Sequence, residues 1–397
     1  MRARSATFFS SLFLARLADQ VLLFLVPLVI YQVTQKVAWS GLAFSAETLP
    51  RYIFFPILGA LCDRMSPLKL MRVSQLYRAV ACLGGVAAYA LFGGIGWLVL
   101  LSACCGVMTS QGLVAREVLL PQLFKQHKFE KVLSYSQLAD QMGMVLGPML
   151  AALLLAGWRW QFVVVAAAML FIAADMTMAL WQRSSQIRLS DPEPAPGHWA
   201  WPLRTAWNQV LYLPGLKKLI ALAAGENLLI GVTLATSAAM VTGLYRQTGQ
   251  YYAWLQTAGA IVTVIILLGV AHLSLSRKTL GVFSFTTICV GGLISGLSSA
   301  LWAYAVGFLL IVGFDKMFNV YIRSARQQII PSKDYGKTTG LVILLNNMTQ
   351  PIAGVLVALF AGRHETGFVI VVLSVCMALL GIAASVFLPR WAGSKAL

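Results

Sequence analysis

Apolar stretches long enough to cross a lipid bilayer recur along almost the whole chain, and they constrain its fold more than any other feature. A helix needs about 20 predominantly apolar residues to span hydrocarbon roughly 30 Å thick. Twelve stretches fit, at 8–33, 38–61, 70–92, 96–117, 134–156, 159–182, 217–244, 252–274, 279–297, 300–323, 338–361 and 366–389. Of the 397 residues 59% are hydrophobic and 11% are charged, too few to cover several water-exposed domains. The sequence therefore predicts an all-α membrane protein.

Lysine and arginine predict the orientation of these spans. The 30 Lys and Arg residues exceed the 13 Asp and Glu residues and give a formal charge of +17. Most of them fall in loops on one side of the predicted membrane, whereas the opposite side carries Lys36, Arg159, Arg246 and Arg363. The positive-inside rule then places both termini in the cytoplasm. The charge is explained by topology, so no nucleic-acid partner is expected.

A polar stretch in the middle of the chain predicts a division into two halves. Three prolines between Asp191 and Gly197 cannot continue a helix, and apolar residues from Leu203 to Leu211 then recur at helical spacing. Arg116 and Pro121 in the first half also have counterparts in Arg326 and Pro331. The predicted parts are an N-terminal six-helix bundle at 1–182, a cytoplasmic linker with a short amphipathic helix at 183–216, and a C-terminal six-helix bundle at 217–397. Such a repeat is typical of two pseudo-symmetric bundles around a midplane site.

The loop between the second and third spans resembles a signature of the major facilitator superfamily. That signature, G-x-x-x-D-R-x-G-R-R/K, is matched at Gly59, Asp63 and Arg64, whereas Ser66 and Pro67 replace its Gly-Arg pair and a basic residue, Lys69, follows one position late. The resemblance implies the major facilitator fold, in which Gly59, Asp63 and Arg64 form a latch on the cytoplasmic side. A basic loop that only sets topology is the alternative. The corresponding loop of the second half, 273–278, lacks the aspartate, so only the first half is expected to be latched in this way.

The fifth span resembles a motif of the proton-coupled exporters of this family, G-x-x-x-G-P-x-x-G-G. Gly143, Gly147 and Pro148 match it, whereas Ala151 and Ala152 replace the last two glycines. Together with the segments 14–19, 49–51 and 214–218, the motif is similar to a branch of small bacterial exporters that includes macrolide efflux pumps and siderophore exporters. A protein of the bacterial inner membrane is implied. Residues 18–24 are similar instead to bacterial lysophospholipid transporters.

Charged residues inside the predicted spans indicate a polar central cavity, because an ionised group in hydrocarbon needs a partner or water. Arg16 with Asp19 and Glu47 with Arg51 each share a helix face. The candidates for proton coupling are Asp19, Glu47, Glu226 and Asp315. The candidates for substrate binding are Arg16, Arg51, Arg78, Lys316 and Asn227. Structural ion pairs are the alternative for the two same-face pairs.

These features predict a secondary active transporter that works by alternating access. The leading hypothesis is a monomeric, lipid-embedded, proton-coupled exporter of a small amphipathic or anionic compound such as a siderophore or a drug. A lysophospholipid flippase or a siderophore importer of the same fold is the alternative. Neither G-x-S-x-G nor H-E-x-x-H occurs, the cysteines and histidines show no ligand spacing, and no Walker sequence is present. We therefore expect neither an enzyme, a metal centre, a cofactor nor direct use of ATP.

Overall fold

The computed structural model describes residues 3–34, 50, 52–94, 96–185, 200–273, 275–349, 352–353, 356–357 and 366–386. The helices of the first half are α1 (Ala3–Thr34), α2 (Tyr52–Cys62), α3 (Pro67–Phe92), α4 (Gly96–Leu123), α5 (Phe129–Gly157) and α6 (Trp160–Ser185). Those that follow are α7 (Ala200–Tyr212), α8 (Leu216–Ala238), α9 (Gly249–His272), α10 (Arg277–Leu297), α11 (Leu301–Ile329), α12 (Tyr335–Asn347) and α13 (Thr366–Val386).

Ten helices in the described part of the chain are long and apolar enough to cross a membrane. They coincide with ten of the twelve predicted spans. The remaining two predictions, 38–61 and 338–361, are described only in part, as α2 and as α12 with a few residues beyond it. The all-helical membrane fold predicted from hydropathy is confirmed.

The first compact unit comprises residues 1–126, 138–204 and 333–341. In this unit α1 packs against α6 and α4, and α3 packs against α4 and α6. The buried core includes Val21 and Leu25 of α1, Cys82 of α3 and Phe171 of α6. Since this core forms where helix faces meet, charged residues on the same faces are carried inside with it.

The second compact unit comprises residues 127–137, 205–332 and 342–397. Here α10 packs against α11 and α13, and α8 packs against α13 and α11. Leu229 of α8, Ile288 of α10, Phe318 of α11 and Ile370 of α13 contribute to its core. A π-helical segment, Ala239–Leu244, follows α8 directly.

The short helix predicted after the linker is present as α7. Ala206 and Val210 are buried, whereas Leu203 and Trp207 are half exposed. The linker residues 186–199 lie outside the described residues.

Candidate functional site

A buried ion pair between α1 and α3 lies at the centre of the first unit. Asp19 Oδ1 accepts hydrogen bonds from Arg78 Nη1 at 2.6 Å and from the Thr109 hydroxyl at 2.9 Å. Arg78 is 3% exposed and Asp19 is 8% exposed. The guanidinium also lies 4.4 Å from the centre of the Phe171 ring, a cation–π contact. The arginine that contacts Asp19 is therefore Arg78, which lies on a different helix.

A small cavity of about 40 Å³ adjoins this pair. Arg16, Asp19 and Arg78 line it together with a second ion pair, in which Arg116 Nη1 lies 2.7 Å from Asp140 Oδ1. The side chain of Arg116 is buried in α4. The charged lining therefore comprises three arginines and two aspartates.

The glycines of α5 position this cavity because they allow close packing of α5 against α1. A Cβ atom built on Gly143 would lie 2.7 Å from Arg16 Cγ, and one built on Gly147 would overlap Gln20. A side chain at either position would push the helices apart or displace Arg16. Helix α5 continues through Pro148.

A third ion pair of the first unit lies between α3 and α6. Arg72 donates to both carboxylate oxygens of Asp175, at 2.8 and 3.1 Å, and to Gln182 at 3.4 Å. This bidentate geometry is the strong form of an ion pair between an arginine and a carboxylate.

The second unit contains an acid pair at the middle of two helices. Glu226 of α8 is 2% exposed and Asp315 of α11 is 3% exposed, and their carboxyl groups lie within hydrogen-bonding reach of each other. Asp315 also lies 2.5 Å from Lys316 Nζ and accepts from Asn319 Nδ2 at 2.9 Å. Glu226 Oε1 is buried and has no hydrogen-bond partner among the described residues. Asn227, the neighbour of Glu226, is partly buried.

Asp63 lies in the turn after α2 and contacts the start of α12. Its two carboxylate oxygens accept from the backbone amides of Gly336 and Lys337 at 2.8 and 2.9 Å, and Lys337 Nζ lies 3.8 Å away. Burial raises the pKa of Asp63 to about 6, although the two amides and the Lys337 charge act in the opposite direction. Gly59 packs directly on Gly336, so the close approach requires both glycines. Arg64 occupies the same turn and is partly buried.

A second contact of this kind occurs in the other unit, with the charges exchanged. Arg277, in the loop that lacks the aspartate, lies 2.8 Å from Glu130 in the first turn of α5. Ser324 donates to the same carboxylate oxygen at 2.6 Å and accepts from Arg277 Nε at 2.9 Å. The loop has no aspartate, so the signature of the first half does not predict this contact.

Two predicted site residues, Glu47 and Arg51, lie outside the described residues. The structure brings Asp19, Arg78 and Arg16 to one cavity and Glu226, Asp315 and Lys316 to one cluster. Thr109, Asp140 and Glu130 were not predicted as site residues. Hydropathy could have singled them out only as polar residues in or beside apolar spans.

The match to a known family decides the class of protein. The sequence profile described as Major Facilitator Superfamily matches residues 8–385. The chain belongs to the major facilitator superfamily. No curated protein matches the sequence.

Solved structures of major facilitator transporters share the fold at low sequence identity. The human organic anion transporter MFSD10 (TETRAN) superimposes with a TM-score of 0.77 at 13% identity, over 97% of this chain and 100% of that one. A bacterial homologue of the iron transporter ferroportin, in its outward-facing state, gives 0.75 at 17% identity over 97% and 100%. The proton:xylose symporter XylE gives 0.74 at 12% identity over 97% of each chain. The protein is a multi-pass membrane transporter with the major facilitator fold.

Proposed function

We propose that this major facilitator protein is a proton-coupled exporter of a small amphipathic or anionic compound, such as a carboxylate siderophore, and works by alternating access. The observation that carries the proposal is the charged cavity of the first unit, with three arginines and two aspartates in its lining. The guanidinium groups of this lining suit an anionic group on the substrate.

Arg16 is the residue to which we assign the substrate's anionic group. It lines the cavity beside the ion pairs Asp19–Arg78 and Arg116–Asp140. Close packing against Gly143 of α5 fixes the position of its side chain. Its planar guanidinium can bind a carboxylate through two parallel hydrogen bonds.

The two contacts that join first-half to second-half residues fit a role in closing the cytoplasmic side. Asp63 holds the start of α12, and Glu130 holds Arg277 and Ser324. Each combines a carboxylate with donors far away in the sequence. We propose that both contacts form when the transporter is closed to the cytoplasm and break when it opens there.

One observation favours a lipid substrate as a second candidate. An apolar groove of about 860 Å³ runs along the first unit, where Leu150, Leu154, Trp158 and Phe162 of α5, α6 and their connection line it. A groove of this size and composition could hold an acyl chain. A lysophospholipid carries both such a chain and an anionic phosphate, so it could use the groove together with Arg16.

Reconstitution into proteoliposomes tests the proposal. A pH gradient is imposed, and proton movement is recorded on addition of a carboxylate siderophore, a macrolide or a lysophospholipid. We expect the siderophore to give a gradient-dependent response that the Arg16→Gln variant loses. A response to the lysophospholipid alone would select the second candidate, and silence for all three compounds would contradict proton-coupled export. Lys217→Gln, which changes an exposed cation at the start of α8, is the matched control.

A further inference from the structure

The charged cluster of the second unit is not electrically balanced by its side chains alone. Glu226, Asp315 and Lys316 supply two acids and one base at the middle of α8 and α11. Among the described helices, α13 has no charged residue, and the charged residues of α9 and α10 lie at one end, so these three helices add no counter-charge at this depth. With both carboxyls ionised the cluster would carry a net negative charge in the apolar interior. One added proton makes it neutral.

The close approach of the two carboxyl groups points to the same count. Two carboxylates repel each other, whereas a carboxylic acid can donate to a carboxylate, so one proton between them turns the repulsion into a hydrogen bond. Asp315 is the anion of the pair because Lys316 and Asn319 both donate to it. Glu226 is then the acid, since its Oε1 is buried without a hydrogen-bond partner among the described residues.

We propose that Glu226 and Asp315 hold a single shared proton and that this is the proton exchanged for substrate, an inference that rests on the proposed function. On one side of the membrane the Glu226 O–H bond breaks and the proton passes to water, which leaves two carboxylates beside Lys316. On the other side Glu226 takes a proton from water and the cluster is neutral again. One proton moves in each cycle.

The position of the cluster in the repeat supports a division of labour between the units. By the offset that relates Arg116 to Arg326, Thr109 of the first unit corresponds to Asn319 of the second. Thr109 donates to Asp19, which Arg78 also contacts, whereas Asn319 donates to Asp315, which contacts Lys316 and Glu226. The first unit thus has one acid at this place and the second unit has two. The first unit is assigned to the substrate and the second to the proton.

Infrared spectroscopy of the purified protein at neutral pH tests the shared proton without any substrate. We expect the carbonyl band of a protonated carboxylic acid, and we expect Glu226→Gln to remove it. Asp315→Asn is a second variant, because Glu226 left alone with Lys316 should ionise and the band should again be lost. Asp175→Asn is the matched control, since both oxygens of that buried carboxylate accept from Arg72 and the band should stay. No band in the unaltered protein, or a band unchanged in Glu226→Gln, would overturn the proposal.

The coupling role is tested in proteoliposomes with the compound that the unaltered protein transports. Glu226→Gln should lose accumulation driven by a pH gradient but keep exchange of labelled for unlabelled compound, which needs no net proton movement. Accumulation equal to that of the unaltered protein would overturn the coupling role. If the unaltered protein moves none of the compounds, the proposed function fails and the coupling role fails with it, whereas the shared proton is still decided by the infrared band.

Discussion

At the scale of single residues, a buried ion pair makes each partner depend on the other. Asp19 and Arg78 are both almost fully buried, so removing one charge leaves the other without compensation in an apolar interior. We expect Asp19→Asn to lower the free energy of unfolding by about 3–5 kcal/mol. The double variant Asp19→Asn, Arg78→Gln should recover part of that loss. Thermal unfolding in detergent measures both.

The control for this ion pair is Lys217→Gln, because an exposed substitution should change stability by no more than about 0.5 kcal/mol. A double-mutant cycle then isolates the coupling between Asp19 and Arg78. The expectation is contradicted if Asp19→Asn lowers the free energy of unfolding no more than the control does. It is also contradicted if the double variant recovers none of that free energy.

Asp63 gives a pH dependence whose sign follows from its pKa. In the contact with α12 this pKa is about 6, above the ordinary value of 3.8 that we expect once the contact breaks. At a pH between these two pKa values, the protein with the contact formed binds more protons than the protein with the contact broken. Lowering the pH therefore favours the contact. Lys337 and Asp334 are the charged neighbours that tune this pKa.

We therefore expect the cytoplasmic side to close further as the pH falls from about 7 to about 5. A cysteine placed at the buried position Ala15, in a protein whose own cysteines are replaced by alanine, reports opening through its rate of labelling. The rate should fall with pH in this background and change less with pH after Asp63→Asn, which cannot titrate. A rate that rises as the pH falls would contradict the assignment.

At the scale of helices, the packing of α5 on α1 depends on glycine. A Cβ atom at Gly143 would lie 2.7 Å from Arg16 Cγ, closer than two carbon atoms can approach. We expect Gly143→Ala to destabilise the protein by about 1–3 kcal/mol, the usual cost of overpacking. Gly84→Ala in α3 is the control, because nothing lies within 4 Å of its added carbon. Equal unfolding temperatures for the two variants would show that α5 adjusts freely.

The helices could be predicted closely from the sequence, whereas the partners of their charged residues could not. Hydropathy and turn residues give the span at 159–182, and α6 runs from Trp160 to Ser185. Asp19 was seen beside Arg16 because both lie on α1, but its contacts with Arg78 and Thr109 join three helices. Periodicity describes one helix at a time and carries no information on which helices meet. For that reason the pairing of Arg72 with Asp175 and of Arg116 with Asp140 cannot be predicted from the sequence.

At the scale of the whole molecule, the repeat preserves positions and changes the chemistry at them. Asp63 meets backbone amides at the start of α12, whereas the corresponding loop of the second half offers Arg277 to a carboxylate in the first turn of α5. Both arrangements satisfy a buried carboxylate at a helix start, where the helix dipole favours negative charge. A repeat can therefore retain a contact after losing the residue that identified it.

Because the two contacts lie in different compact units, their free energies should add. We expect Asp63→Ala and Glu130→Ala each to raise the labelling rate of the Ala15→Cys reporter, and the double variant to raise it by about the product of the two factors. Lys125→Ala, which changes an exposed cation between α4 and α5, should leave the rate unchanged. If the double variant labels no faster than the more rapid single variant, only that single contact closes the cytoplasmic side. If neither single variant differs from Lys125→Ala, the two carboxylates hold helix ends in place without controlling access.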